Sequence, residues 1–136
     1  MRLAMIQRPK IGRKSVSIAS NAKARTNNAV AIGHSAEVKG TAGAGIALGW
    51  DAKAEGDATD SIAIGRGAKC EKGAVEAIAI GRSNNAQALE TIAIGSNGKG
   101  EERARLWFCL SLGMCRAKDG YRSSSYGLGS HETLKS

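Results

Sequence analysis

Apolar and small residues alternate along most of this chain in a four-residue unit of apolar, alanine, apolar and glycine that returns at a nearly constant interval. The clearest copies are Val30-Ala31-Ile32-Gly33, Ile46-Ala47-Leu48-Gly49, Ile62-Ala63-Ile64-Gly65, Ile78-Ala79-Ile80-Gly81 and Ile92-Ala93-Ile94-Gly95. Degenerate copies extend the array to Val16-Ser17-Ile18-Ala19 upstream, and to Leu110-Ser111-Leu112-Gly113 and Tyr126-Gly127-Leu128-Gly129 downstream. The third-position residues, Ile18, Ile32, Leu48, Ile64, Ile80, Ile94, Leu112 and Leu128, are then the expected core rungs, with steps of 14, 16, 16, 16, 14, 18 and 16 residues. Alternation at period two identifies strands, because it puts the two isoleucines of each unit on one face and the alanine on the other.

A weaker unit follows each glycine, with small residues four and six positions after the rung residue: Ala22 and Ala24, Ala36 and Val38, Ala52 and Ala54, Ala68 and Cys70, Gly98 and Gly100. After Ile80 this reading finds Ala86 and Ala88, two positions late. Fourteen to sixteen residues hold two short strands and two tight turns, and the glycine supplies the positive φ that such a turn uses. One repeat is therefore one flattened coil, and stacked coils pair strand on strand at about 4.8 Å. The expected fold is all-β: a parallel β-roll solenoid of about eight coils of 14–18 residues, with a basic arm at 1–14, regular repeats over 15–102, and degenerate repeats with a cap over 103–136. The segment from Glu101 to Cys115, with its 18-residue step and its Leu106-Trp107-Phe108-Cys109-Leu110 cluster, is expected to be a plug or cap.

Composition sharpens this picture. One Phe, two Trp and two Tyr cannot fill a wide core, so bulk must come from Ala, Ile, Leu and Val in thin layers. A coil this slim buries little area against the entropy of ordering its residues, and an oligomer is expected to supply the missing burial. The net charge of +8 is unevenly spread: Arg2, Arg8, Lys10, Arg13 and Lys14 form an acid-free arm, whereas Ser15 to Glu102 carries nine bases against ten acids. The body is close to neutral, so the charge points to an arm that anchors on a partner and not to nucleic acid. No apolar run has the length of a signal peptide or a membrane span, and the expectation is a chain that neither enters a secretion route nor inserts in a membrane. Cys70, Cys109 and Cys115 make neither a closed disulfide framework nor a zinc pattern and are read as small apolar fillers.

The tetrapeptides and their spacing from Asn28 to Gly95 resemble the head repeat of trimeric autotransporter adhesins of the YadA type. That resemblance implies a left-handed roll, a homotrimer projecting from a surface, binding to host ligands, and no catalysis. The same roll resembles modules of phage tail fibres, tail tips and capsid-bound fibres. A virion structural protein held through its basic arm is the favoured setting, with a bacterial surface adhesin as the alternative.

The residue after each turn glycine should form a ladder along one edge of the rod. His34, Trp50, Arg66 and Arg82 head it, followed by Ser96, Met114 and Ser130, and the arginine pair suits an acidic or sulfated host glycan. Catalytic, metal and cofactor readings find no support: His34 and His131 stand in no nucleophile or ligand pattern, and Asp57 and Asp60 are most simply solvated. The steps are too short for the triangular coils of hexapeptide-repeat acyltransferases, and calcium-binding nonapeptides are absent.

Overall fold

In a computed structural model the chain is described over residues 14–40 and 43–100 and in two further strands, Trp107–Ser111 and Ser124–Gly127. Each tetrapeptide and its small-residue follower form one rung of two strands. In chain order these are β1 (Val16–Ile18) and β2 (Lys23–Ala24), β3 (Val30–Ile32) and β4 (Glu37–Val38), β5 (Ile46–Leu48) and β6 (Lys53–Ala54), β7 (Ile62–Ile64) and β8 (Lys69–Cys70), β9 (Ile78–Ile80) and β10 (Asn85–Ala86), and β11 (Thr91–Gly95) and β12 (Lys99–Gly100). Strands β13 (Trp107–Ser111) and β14 (Ser124–Gly127) follow. All odd strands through β13, with β14 last, make one parallel sheet of eight. The even strands β2 to β12 make a second parallel sheet of six. The fold is an all-β parallel β-solenoid, with no helix among the described residues.

The register stacks like on like. Ile18, Ile32, Leu48, Ile64, Ile80 and Ile94 pair in succession, and Ser17, Ala31, Ala47, Ala63, Ala79 and Ala93 form the adjacent column. In the six-stranded sheet Ala24, Val38, Ala54, Cys70, Ala86 and Gly100 pair likewise. The 14- and 16-residue coils differ only in the return from the second strand to the next rung, so the sheets keep their register while one edge changes width.

The core lies between the sheets and consists almost wholly of alanine. Ala31, Ala47, Ala63, Ala79 and Ala93 from one side and Ala36, Ala52, Ala54, Ala68, Cys70 and Ala86 from the other are fully buried. The sheets approach too closely to admit much larger chains; Val38, Cys70, Thr91 and the hydrogen-bonded Ser61 and Asn84 are the largest fully buried side chains. This corrects the expectation for the rung residues. Ile18, Ile32, Leu48, Ile64, Ile80 and Ile94 line up in a single column, but on the outer face of the eight-stranded sheet, where Ile18 is 55% and Leu48 38% exposed. A flattened roll has room for only one side of its alternating pattern, and the smaller residue takes it.

A second correction concerns the last rungs. Strand β13 pairs Thr91 with Trp107, Ile94 with Leu110 and Gly95 with Ser111, and β14 then sets Tyr126 against Leu110 and Gly127 against Ser111. Leu110 and Tyr126, not Leu112 and Leu128, hold the column positions, and the 18-residue step becomes 16. A shift of two residues leaves every side chain on the same face, so alternation alone could not choose between the two readings. Trp107–Ser111 continues the sheet instead of interrupting it. Leu112 and Leu128 lie outside the described residues.

Candidate functional site

Each glycine closing a rung has φ between +117° and +132° at Gly33, Gly49, Gly65, Gly81 and Gly95. At the first four of these a side chain would strike the backbone of the next rung; a Cβ on Gly49 would come within 2.6 Å of the Gly65 carbonyl oxygen. The two residues after the glycine make the corner. The second of them, Asn21, Ser35, Asp51, Gly67, Ser83 or Asn97, has φ near +60°, as a type II turn requires. Backbone bonds tie corner to corner: the amides of Asp51, Gly67, Ser83 and Asn97 donate to the carbonyls of His34, Trp50, Arg66 and Arg82 at 2.8–2.9 Å.

His34, Trp50, Arg66 and Arg82 thus form an unbroken exposed ladder. The indole Nε1–H of Trp50 donates to Nδ1 of His34 at 3.0 Å, and Ser35 Oγ lies 3.2 Å from the same nitrogen. The Arg66 guanidinium carbon lies 5.8 Å from the centroid of the Trp50 ring, a cation–π contact that holds the indole from its other side. Ser96 extends the ladder. Ser111 takes the glycine position of the next rung, so Met114 is not the next ladder residue by register; Met114 and Ser130 lie outside the described residues. Of the basic arm, Arg2, Arg8, Lys10 and Arg13 also lie outside, and Lys14 stands exposed before β1.

The outer faces of the two sheets differ in kind. On the eight-stranded sheet the outer columns are aliphatic: Val16, Val30, Ile46, Ile62, Ile78 and Ile92 beside the Ile18 to Ile94 column, all partly or largely exposed. On the six-stranded sheet they are charged. Arg25 pairs with Glu37 at 3.0 Å, Lys39 bridges Glu37 and Glu55 at 3.6 and 3.9 Å, and Lys69 bridges Glu55 and Glu71 at 3.4 and 3.6 Å. Burial alone would push the Glu71 carboxyl up, but hydrogen bonds from Asn85 and Gln87 and the charge of Lys69 together hold it below the usual range. Lys53 is raised by its hydrogen bond to Asp51, at 2.9 Å, against a smaller opposing effect of burial.

One polar residue escaped the sequence reading. Asn84 is fully buried at the position that Ala22, Ala36, Ala52 and Ala68 hold in other rungs. Its amide nitrogen donates to the carbonyls of Ile80 and, at 2.8 Å, Gly95, while its Oδ1 accepts from the Gly98 amide at 2.6 Å. Ala86 is therefore not displaced; it pairs with Cys70 and Gly100 in regular register. The fixed offset of four from Ile80 was the available signal, hidden because a buried Asn breaks the small-apolar rule. Among the described residues no group of three His, Cys, Asp or Glu side chains is placed to hold a metal.

The decisive comparison is with the repeat itself. The YadA head domain repeat matches residues 12–36, 41–68 and 74–97, more than half of the chain. The chain belongs to the YadA head domain repeat family. No curated protein and no solved structure matches it. The matched residues include every strand from β1 to β11 except β4 and β8, and hence the aliphatic columns and the turn ladder from His34 to Arg82. YadA head repeats and β-solenoids of this kind are typical of structural and attachment proteins exposed at a surface.

Proposed function

We propose that this chain is the rigid projecting module of a homotrimeric attachment protein, carried on a virion as a fibre, tail tip or capsid decoration, that binds a host-surface glycan or protein. The observation that carries the attachment reading is a YadA head repeat whose roll is one-sided: aliphatic columns cover one outer face and an ion-pair lattice the other. Water tolerates the lattice but not a continuous aliphatic face, which in this reading packs against two further copies around an axis along the rod. The basic residues of the arm, Arg2, Arg8, Lys10, Arg13 and Lys14, support anchoring on an acidic partner in the particle. The family match equally favours a second setting, the surface of a bacterial cell.

Two measurements test this. Fluorescently labelled purified protein should bind intact candidate host cells saturably and compete with unlabelled protein; absence of binding across hosts would leave only a structural role. Antibody against the roll should decorate particles and not producing cells, and decoration of the cell surface alone would select the adhesin.

A further inference from the structure

The ion pairs among the described residues leave out a particular set of charges. Among the described residues Glu37, Asp51, Glu55, Asp57 and Glu71 each have a lysine or arginine at 2.9–3.9 Å. Asp60, Glu76 and Glu90 are the acids without one among those residues. All three stand in one column at the return edge of the aliphatic sheet, as successive left-handed residues with φ of 54°, 55° and 56°. The amides of Asp60, Glu76 and Glu90 donate to the carbonyls of Gly43, Thr59 and Val75, so this edge is stacked as firmly as the turn ladder. Arg66 and Arg82, on the opposite edge of the same sheet, likewise have no acid partner among the described residues. Each strand of this sheet in the middle of the roll therefore runs from an unpaired carboxylate to an unpaired guanidinium: Asp60 to Arg66 across β7, and Glu76 to Arg82 across β9.

We propose that neighbouring copies of the chain are keyed edge to edge by these charges, with Asp60 and Glu76 of one roll facing Arg66 and Arg82 of the next. The inference rests on the trimer proposed above. When parallel rolls surround an axis along the rod with their aliphatic sheets inward, the return edge of each meets the turn edge of its neighbour at the same height. Rung by rung the two edges then match: Asp60 meets Arg66 and Glu76 meets Arg82. In the two rungs next below, where the turn edge carries no formal charge, the return edge carries none either, so Asn28 meets His34 and Ala44 meets Trp50, while in the first rung Lys14 meets Ser20. Ala44 is an exposed, small residue held at φ 53°, and it leaves room for the indole opposite. Glu90 meets Ser96, with Arg82 one rung away, about 4.8 Å along the rod. Antiparallel face-to-face pairing would bring each edge against itself, acid on acid and base on base, so the pattern selects parallel copies as well as tightening them. Arg66 and Arg82 acquire in this way a partner other than an acidic glycan.

Sedimentation equilibrium of the full chain tests the proposal. The wild-type protein should be a trimer; the doubly reversed variants Asp60→Arg with Glu76→Arg, and Arg66→Glu with Arg82→Glu, should each raise its dissociation constant by roughly a hundredfold. Combining all four substitutions exchanges the sign of both edges and should restore association. A wild-type monomer would refute the trimer itself. Trimers unaffected by either reversal, or a fourfold variant no better than the twofold ones, would overturn the edge pairing and leave the trimer standing. Should a reversal impair folding, the milder Asp60→Asn with Glu76→Gln serves: raising salt from about 0.05 to about 0.5 M should weaken the wild-type trimer and leave this variant nearly unmoved, and equal salt responses would again overturn the pairing.

Discussion

At a glycine such as Gly65 two demands meet: φ of +126°, and a neighbouring rung whose Gly81 backbone occupies the space a Cβ would take. Neither can be relaxed without moving a rung. Gly65→Ala should therefore cost at least ~2 kcal/mol, read as a lower midpoint in urea unfolding, whereas the same change at Gly73, where nothing stands within 4 Å, should cost less. The contrast separates the steric part from the backbone part, since Gly73 also has positive φ, at 85°. Ala19, at φ 97°, closes the first rung without glycine, and Ser111 stands at the glycine register position of β13. The glycine requirement was legible in the tetrapeptide. The buried Asn84 was not, because its value lies in three backbone groups that the chain brings near it only after the coil has closed.

At the scale of strands the informative residue is Cys70, the last residue of β8, fully buried between the sheets. Burial pushes its thiol up from 9.0 to about 11, partly offset by hydrogen bonds with Ser61 and backbone carbonyls. The folded state holds this proton more tightly than the unfolded chain. The associated stability is full below pH 9, falls as the unfolded thiol ionises, and is gone once pH has risen through about 11. The loss should amount to about 2–3 kcal/mol. Urea titrations at pH 8 and pH 11 should show it for the wild type and show a smaller loss for Cys70→Ala, which places at this site the residue that Ala54 and Ala86 already supply on either side. A thiol reagent should likewise label Cys70 only on unfolding. Strand existence and parallel pairing were legible from period and spacing. The register of β13 was not, because positions two apart are equivalent in face and only the paired backbones distinguish Leu110 from Leu112.

For the molecule as a whole, the thin alanine core and the aliphatic outer face belong together. A roll whose interior admits little beyond alanine buries little of its large apolar surface by itself, so in the proposed trimer its isoleucines act between chains. In sedimentation equilibrium, Ile64→Lys with Ile80→Lys should abolish the proposed trimer and leave a monomer of reduced stability. Ala63→Leu, by contrast, should disrupt the roll itself, because a fully buried alanine between two sheets has no room to grow. A trimer indifferent to both lysines would show that the aliphatic face is not the interface.

The sequence alone determined the coil: where each rung from β1 to β11 begins, which residues alternate, where glycine is obligatory, and that strands pair parallel with their counterparts one repeat on. Those properties are local and periodic, so a linear pattern encodes them. Only the tertiary structure decided which side of the alternation is inside, because that depends on how closely two sheets approach. The same closure aligned Asp60 with Glu76 and Arg66 with Arg82 on opposite edges of one sheet, a charge arrangement that exists only after residues sixteen apart have been stacked.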